Sequence, residues 1–137
     1  MSETNIVRGI AAHADVELRL PADSAYASVL RTLTAGLAAR LDFTMDDIED
    51  LRIAVSEAAA MVLDEADPGA DLDCRFRLGD GRLTVVVSTT AADPAEPDYE
   101  SFGWQVLATL AEEASIDAAP GTYSVCLVMR SALAPAT

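Results

Sequence analysis

The stretch that decides the fold of this chain is Leu51-Arg52-Ile53-Ala54-Val55-Ser56-Glu57-Ala58-Ala59-Ala60-Met61. Apolar residues recur through it and on either side of it at helical spacing, at positions Ile48, Leu51, Val55, Ala58 and Val62. This period predicts a long amphipathic helix. Thr44 and Asp47 resemble a capping box at its start, and Asp67-Pro68-Gly69 is expected to end it. By spacing alone, Ala54, Glu57, Met61 and Glu65 share one face of this helix.

The segment before this helix predicts a strand and a first helix. Apolar and charged residues alternate from Val16 to Leu20, which is typical of a half-buried strand that Pro21 ends. Apolar positions at helical spacing then predict a helix from Ser24 to Leu41, capped by Asp23 or Ser24. Gly36 lies inside this helix at a cost of about 1 kcal/mol relative to Ala. We therefore expect it to mark a close packing contact.

After the long helix, the period changes to alternation. A β-hairpin is predicted from Leu72 to Val87, with its turn at residues 79–82. Residues 91–99 are expected to form a loop and residues 104–114 a helix. Strands around Ile116 and from Tyr123 to Met129 complete the order β-α-α-β-β-α-β-β. We expect an α+β fold, a two-layer α/β sandwich whose mixed, mostly antiparallel sheet carries helices on one face. Residues 1–14 are predicted to be a flexible N-terminal tail, and residues 15–137 a single domain.

The composition restricts the possible partners. Apolar residues make up 51% of the chain, and the formal charge is −14. Such an acidic domain repels phosphate backbones and anionic membranes, so neither nucleic acid nor membrane is expected as a partner. The charge serves either solubility alone or a surface for a basic protein. No signal peptide and no membrane span is visible, which favours the cytoplasm.

The two cysteines, Cys74 and Cys126, fall in predicted strands without the spacing of a metal site. They are expected to be small buried hydrophobic residues in a reducing compartment. A disulfide between neighbouring strands is the alternative.

Two blocks of sequence, residues 29–40 and 46–58, closely resemble the anti-sigma factor kinases of the RsbW and SpoIIAB type. A third block, residues 101–113, is similar to the second glycine-rich segment of that family, in the version of the actinobacterial anti-sigma-F proteins. The resemblance extends over residues 15–130 and implies a histidine-kinase-like ATPase fold. It also implies a protein that sequesters an alternative sigma factor, is relieved by an anti-sigma antagonist and works as a homodimer.

The same resemblance assigns nucleotide-site positions. Glu57 matches the family's catalytic base, Met61 falls where an Asn coordinates Mg²⁺, and Gly103 alone remains of a glycine pair in the phosphate lid. A thioether is a poor ligand for Mg²⁺, and a carboxylate at Glu65, where relatives often carry His, would repel triphosphate. Residues 89–95 also lack the family's adenine-site glycines.

We therefore expect a degenerate ATP site, with no cofactor and no metal, and Glu57 as a leftover carboxylate. The alternative is an active serine/threonine kinase that phosphorylates the antagonist with Mg-ATP, using Glu57 as base. A dimeric adaptor without a sigma factor is a third possibility.

The resemblance also assigns a partner contact. Arg31 matches the arginine that contacts the sigma factor and the antagonist, although an ordinary exposed helix arginine is an equal alternative. Arg40 and Arg52 are expected to be surface or helix-pairing charges. Trp104 is expected to pack in the core or lid, with partner contact as the alternative. The hypothesis from sequence is a cytoplasmic anti-sigma factor that acts by direct protein binding.

Overall fold

Five strands form one sheet in the computed structural model, which describes residues 13–134. The strands are β1 (Val16–Pro21), β2 (Asp71–Gly79), β3 (Arg82–Ala91), β4 (Glu113–Ala119) and β5 (Gly121–Arg130), in the spatial order β1-β2-β3-β5-β4. Every neighbouring pair is antiparallel, so the predicted mixed character of the sheet is wrong, whereas the two-layer α+β architecture is confirmed. Pro21 is the last residue of β1, which is tolerated because β1 is an edge strand.

Among the described residues, the α-helices that pack beside the sheet are α1 (Ala27–Arg40), α2 (Met45–Glu65) and α3 (Phe102–Leu110). The first predicted turn, Ser24–Tyr26, is a 3₁₀ helix that leads into α1. The predicted helix of residues 104–114 is misplaced at both ends. It starts earlier because the Ser101 hydroxyl caps α3 by accepting the Trp104 N–H at 3.2 Å. It ends at Leu110 because Glu113 and Ala114 pair with β5, and this long-range pairing overrides local helix propensity.

The core lies between the helices and one face of the sheet. Cys74 pairs with Val87, which pairs with Val125, and these side chains belong to the buried cluster shared with the helices. The helix α2 contributes its central row of buried residues to the same cluster: Leu51, Ala54, Val55, Ala58, Ala59 and Val62. The predicted apolar face of α2 is therefore confirmed.

Both cysteines are buried free thiols, as predicted. Cys74 lies on β2 and Cys126 on β5, with β3 between them, and their registers place them on opposite faces of the sheet. A disulfide between neighbouring strands is therefore excluded. Burial, together with the neighbouring Asp73 charge, raises the pKa of the Cys74 thiol to about 12, so it stays protonated and unreactive.

Gly36 does not mark a close contact. It lies on the exposed side of α1, and a Cβ built on it would meet no atom within 4 Å. The expectation of close packing at this position is wrong, because helical spacing alone does not tell which side of α1 faces a neighbour.

Residues 1–12 of the predicted tail lie outside the described residues, so the tail stays a prediction. Within residues 13–134, no helix is long and apolar enough to cross a membrane.

The start of α2 is held by the predicted capping box. Thr44 Oγ1 accepts the Asp47 N–H at 3.1 Å, and Asp47 Oδ2 accepts the Thr44 N–H at 3.2 Å. The same carboxylate oxygen accepts the Ala132 N–H at 2.9 Å, which ties the segment just after β5 to α2. Partial burial raises the pKa of Asp47, but these hydrogen bonds outweigh it, and the net shift is downward from 3.8.

Asp47→Asn is expected to lower the free energy of unfolding at neutral pH by about 1 kcal/mol, the usual worth of a helix cap. Because the folded pKa of Asp47 is lowered, its stabilisation is present above the unfolded value near 3.8 and is lost as the pH falls through the folded pKa. Urea unfolding of both proteins from pH 7 to pH 2 should show the difference shrinking in acid. Asp46→Asn is the control, because it removes an exposed acid from the same turn. An equal effect from Asp46→Asn, or a pH-independent difference, would contradict this account.

Candidate functional site

The three nucleotide-site residues singled out by sequence come together between α2 and α3. Glu57 and Met61 are half-buried on α2, one turn apart, and Gly103 lies in the first turn of α3. A Cβ built on Gly103 would lie 3.2 Å from Glu57 Oε2 and 3.4 Å from both Cγ and Sδ of Met61. The backbone of α3 therefore lies directly against the carboxylate and the thioether.

The position of α3 is determined by its own cap and by its core contacts. Ser101 caps the helix, and Leu107 is fully buried in the core. Trp104 packs against the core cluster, and its ring meets that of Tyr99 edge to face, with centroids 5.0 Å apart and an interplanar angle of 76°. This agrees with the packing role expected for Trp104. These contacts hold the start of α3 beside Glu57.

The electrostatics of this contact differ from those of a phosphate cradle. The first turn of a helix carries partial positive charge and often binds phosphate. At α3 the carboxylate of Glu57 lies against that turn, at Gly103. The chain thus supplies an anion of its own at the position where a phosphate lid would need free space.

The loop between β3 and α3 is anchored on the end of α2. Glu65 Oε1 accepts the Ala95 N–H at 2.8 Å, and both carboxylate oxygens of Asp67 accept the Ala92 N–H, at 3.1 and 3.0 Å. The Asp67 N–H donates to the Thr90 carbonyl at 3.0 Å. The strand β3 continues through Ala91, so the loop starts one residue later than predicted. The sequence indicated Asp67 only as a helix end, and the path of the loop could not be derived from it.

Sequence reasoning also missed Tyr123, which lies on β5 near this end of α2. Its pKa is raised, first by burial and then by the charges of Glu65, Tyr99 and Asp64. The last turn of α2 contains no basic residue. The end of α2 is therefore a locally negative region, which disfavours triphosphate.

The donor set does not suit the Mg-ATP that the family resemblance implies. Glu57 offers carboxylate oxygens, but Met61 offers a thioether where a hard cation needs oxygen. Within residues 13–134, no three His, Cys, Asp or Glu side chains converge as metal ligands. The start of α3 also lies against both side chains, at Gly103.

Arg31 lies apart from this cluster, on α1. It is half-buried, and in the described part of the chain its side chain has no hydrogen bond and no ion pair. Tyr26 and Val29, which precede Arg31 by five and two residues, are exposed apolar residues. The first half of α1 and the turn before it thus carry a cation and two exposed apolar side chains.

The fold and parts of the sequence are similar to those of RsbW-type proteins. A solved structure of the RsbU and RsbW domains of a Mycobacterium tuberculosis protein matches 85% of this chain and 31% of that one, with a TM-score of 0.68 and 20% identity. This likeness confirms the predicted fold.

The sequence matches individual relatives of the same type. The chain is 40% identical over 74 residues to the serine-protein kinase RsbW of Halalkalibacterium halodurans. This matched region covers 53% of this chain and 46% of that protein. It is 37% identical over 76 residues to the serine-protein kinase RsbW of Bacillus subtilis, covering 53% and 48%. The chain thus spans about half the length of the curated relatives it matches.

No model of a known protein family matches the chain. The relatives nevertheless confirm the resemblance to the RsbW type, while the likeness to actinobacterial anti-sigma-F proteins stays a prediction.

The contact between Gly103 and Glu57 is testable by a double-mutant cycle. Gly103→Ala should give little or no stabilisation alone, because the new methyl group would press on the Glu57 carboxylate at 3.2 Å. In a Glu57→Ala background the same change should gain up to about 1 kcal/mol of helix propensity. Urea unfolding followed by circular dichroism measures both effects.

The matched control is Gly36→Ala, which adds a methyl group to an exposed helix position with nothing within 4 Å. It should stabilise the wild-type and Glu57→Ala backgrounds equally. An equal gain from Gly103→Ala in the two backgrounds would rule out the contact.

Proposed function

We propose that this chain is a cytoplasmic anti-sigma factor, which binds an alternative sigma factor and is relieved by an anti-sigma antagonist. The observation that carries the proposal is the match to RsbW proteins at 37–40% identity, joined to the RsbW-domain fold. By the same resemblance we expect a homodimer. The proposed action is sequestration by direct protein binding.

The partner surface that we propose centres on Arg31 and the exposed side of α1. Arginine and tyrosine are enriched among residues that dominate the binding energy of protein interfaces. Arg31 has no ion-pair partner in the described part of the chain and lies near exposed Tyr26 and Val29, so a carboxylate of a partner could pair with it. The net charge of −14 favours a partner with basic regions and speeds its capture.

We further propose that the chain does this without Mg-ATP. Support comes from the thioether of Met61, from the acids at the end of α2 and from the contact of α3 with Glu57. An active serine/threonine kinase is the second candidate, and it is favoured by the name of the relatives, serine-protein kinase, together with the retained Glu57. In that case Glu57 would be the base and a different donor set would hold the metal.

Arg31→Ala is expected to weaken binding of the cognate sigma factor by about 2 kcal/mol, or roughly thirtyfold, the size of an interface hot spot. Surface plasmon resonance against each alternative sigma factor of the source genome would identify the partner and measure this loss. The wild-type association rate should fall as ionic strength rises, because complementary charge accelerates the encounter.

Arg77→Ala is the control for this experiment, since Arg77 is an exposed arginine on β2. It should leave the dissociation constant within about twofold of wild type. Equal losses from Arg31→Ala and Arg77→Ala would refute the α1 surface. Failure of every sigma factor to bind would instead favour an adaptor that serves another switch.

Titration calorimetry with Mg-ATP is expected to give no heat of binding at micromolar concentration, because Met61 offers a thioether in place of an oxygen ligand for Mg²⁺ and the Glu57 carboxylate lies against the start of α3. The variant Met61→Asn restores an amide oxygen and tests whether the metal ligand alone is missing. Micromolar binding to the wild-type chain, with phosphate transfer to an antagonist, would overturn the proposal of a degenerate site and establish the kinase.

A further inference from the structure

A second exposed surface, separate from Arg31, lies on α3. A shallow groove of about 310 Å³ is lined by Phe102, Gln105, Val106, Thr109 and Leu110, and we call these five residues the α3 face. Phe102 is 78% exposed, although a side chain of this size is usually buried. The groove runs along a helix of nine residues, about 14 Å long.

The two polar members of the α3 face each donate a hydrogen bond within the chain. The Thr109 hydroxyl donates to the Gln105 carbonyl at 2.8 Å, and the Gln105 side-chain amide donates to the Tyr99 carbonyl at 3.4 Å. The other three lining residues, Phe102, Val106 and Leu110, are apolar, so the groove presents mainly carbon.

The segments that flank the α3 face are rich in acids. Residues 83–129 contain no Arg or Lys, but they contain seven acids: Asp93, Glu96, Asp98, Glu100, Glu112, Glu113 and Asp117. Asp98 and Glu100 lie just before α3 and Glu112 and Glu113 just after it, and all four are exposed. The only ion pair made by these four acids joins Glu112 to Arg82, at 3.1 Å, within the described residues. Both ends of the apolar groove are therefore flanked by negative charge.

This charge pattern selects the occupant. Nucleic acid and anionic lipid are repelled by such a surface. A second copy docked through the same face would bring its own acids against these, because a two-fold contact pairs identical patches. A basic partner protein would be attracted by the flanking acids and not repelled by them. An amphipathic helix also matches the length and the apolar lining of the groove.

We propose that the α3 face docks an amphipathic helix of a partner protein, with apolar side chains in the groove and basic residues against the flanking acids. This surface does not depend on Arg31 or on binding of a sigma factor. It would allow the chain to hold a second partner segment at a place distinct from the α1 surface.

The chain carries its own reporter for the test, because Trp104 is its only tryptophan and lies on α3. The probe is an 18-residue peptide of leucine and arginine, with leucine at helical spacing and no aromatic residue. Titration of the full chain should change Trp104 fluorescence. A scrambled peptide of the same composition, which lacks an apolar face, should bind at least about tenfold more weakly.

Variants of the full chain locate the binding. Phe102→Ser should weaken binding of the amphipathic peptide at least about tenfold. Phe102→Leu keeps an apolar side chain and should bind the peptide with nearly wild-type affinity. Met45→Ser is the matched control, since Met45 is also 78% exposed but lies on α2, and it should change nothing. Asp98→Asn with Glu100→Gln should weaken binding and reduce its salt dependence.

Three results would overturn the proposal. Equal affinity for the scrambled peptide would show attraction by net charge alone. Unchanged binding by Phe102→Ser would place the site elsewhere, and an equal loss in Met45→Ser would show a general effect of exposed apolar residues. Circular dichroism of each variant confirms that the fold is retained.

Discussion

The rest of the structure depends on the burial of one face of α2 against the sheet and the other two helices. This face is built from Leu51, Val55 and Val62, which are fully buried, and from alanines that let the helix approach its neighbours closely. The helix α2 contacts α1, α3, β3 and β5. Since α2 cannot rotate without exposing this face, the directions of all its other side chains are determined by it.

That constraint explains why Glu57 and Met61 lie where they do. The two residues lie one turn apart, beside the fully buried residues of α2. Their side chains are half-buried and face the start of α3. A helix of the same packing could present a carboxylate and an amide to a metal in this place. Here the same geometry presents a carboxylate and a thioether to the backbone of Gly103. The buried face thus determines the scaffold, and the side chains at its margin determine which chemistry the scaffold can support.

Much of the fold could be predicted because its signals are local. The period of α2, the capping box of Thr44 and Asp47 and the alternation of the β2–β3 hairpin each depend on neighbours within a few residues. The end of α3 could not be predicted, because Glu113 and Ala114 favour helix locally and become strand only by pairing with β5. Of the candidate site, the resemblance indicated Glu57, Met61 and Gly103. The anchoring of the loop by Glu65 and Asp67 could not be predicted, because residue spacing does not reveal the path that the loop takes in space.

The distribution of charge along the chain separates two kinds of surface on one domain. All nine basic residues are arginines, and none lies between Arg82 and Arg130, so the segments on either side of α3 are acidic, whereas α3 itself contains no charged residue. Arg31 and Arg40 lie on α1, whose other residues are apolar or small and uncharged, whereas Arg52 lies on α2 close to Glu49 and Asp50. A basic helix is favoured at α3, whereas a carboxylate of a partner is favoured at Arg31. Because α1 and α3 both pack against α2, partners with opposite charge preferences would each contact a helix supported by the same buried face.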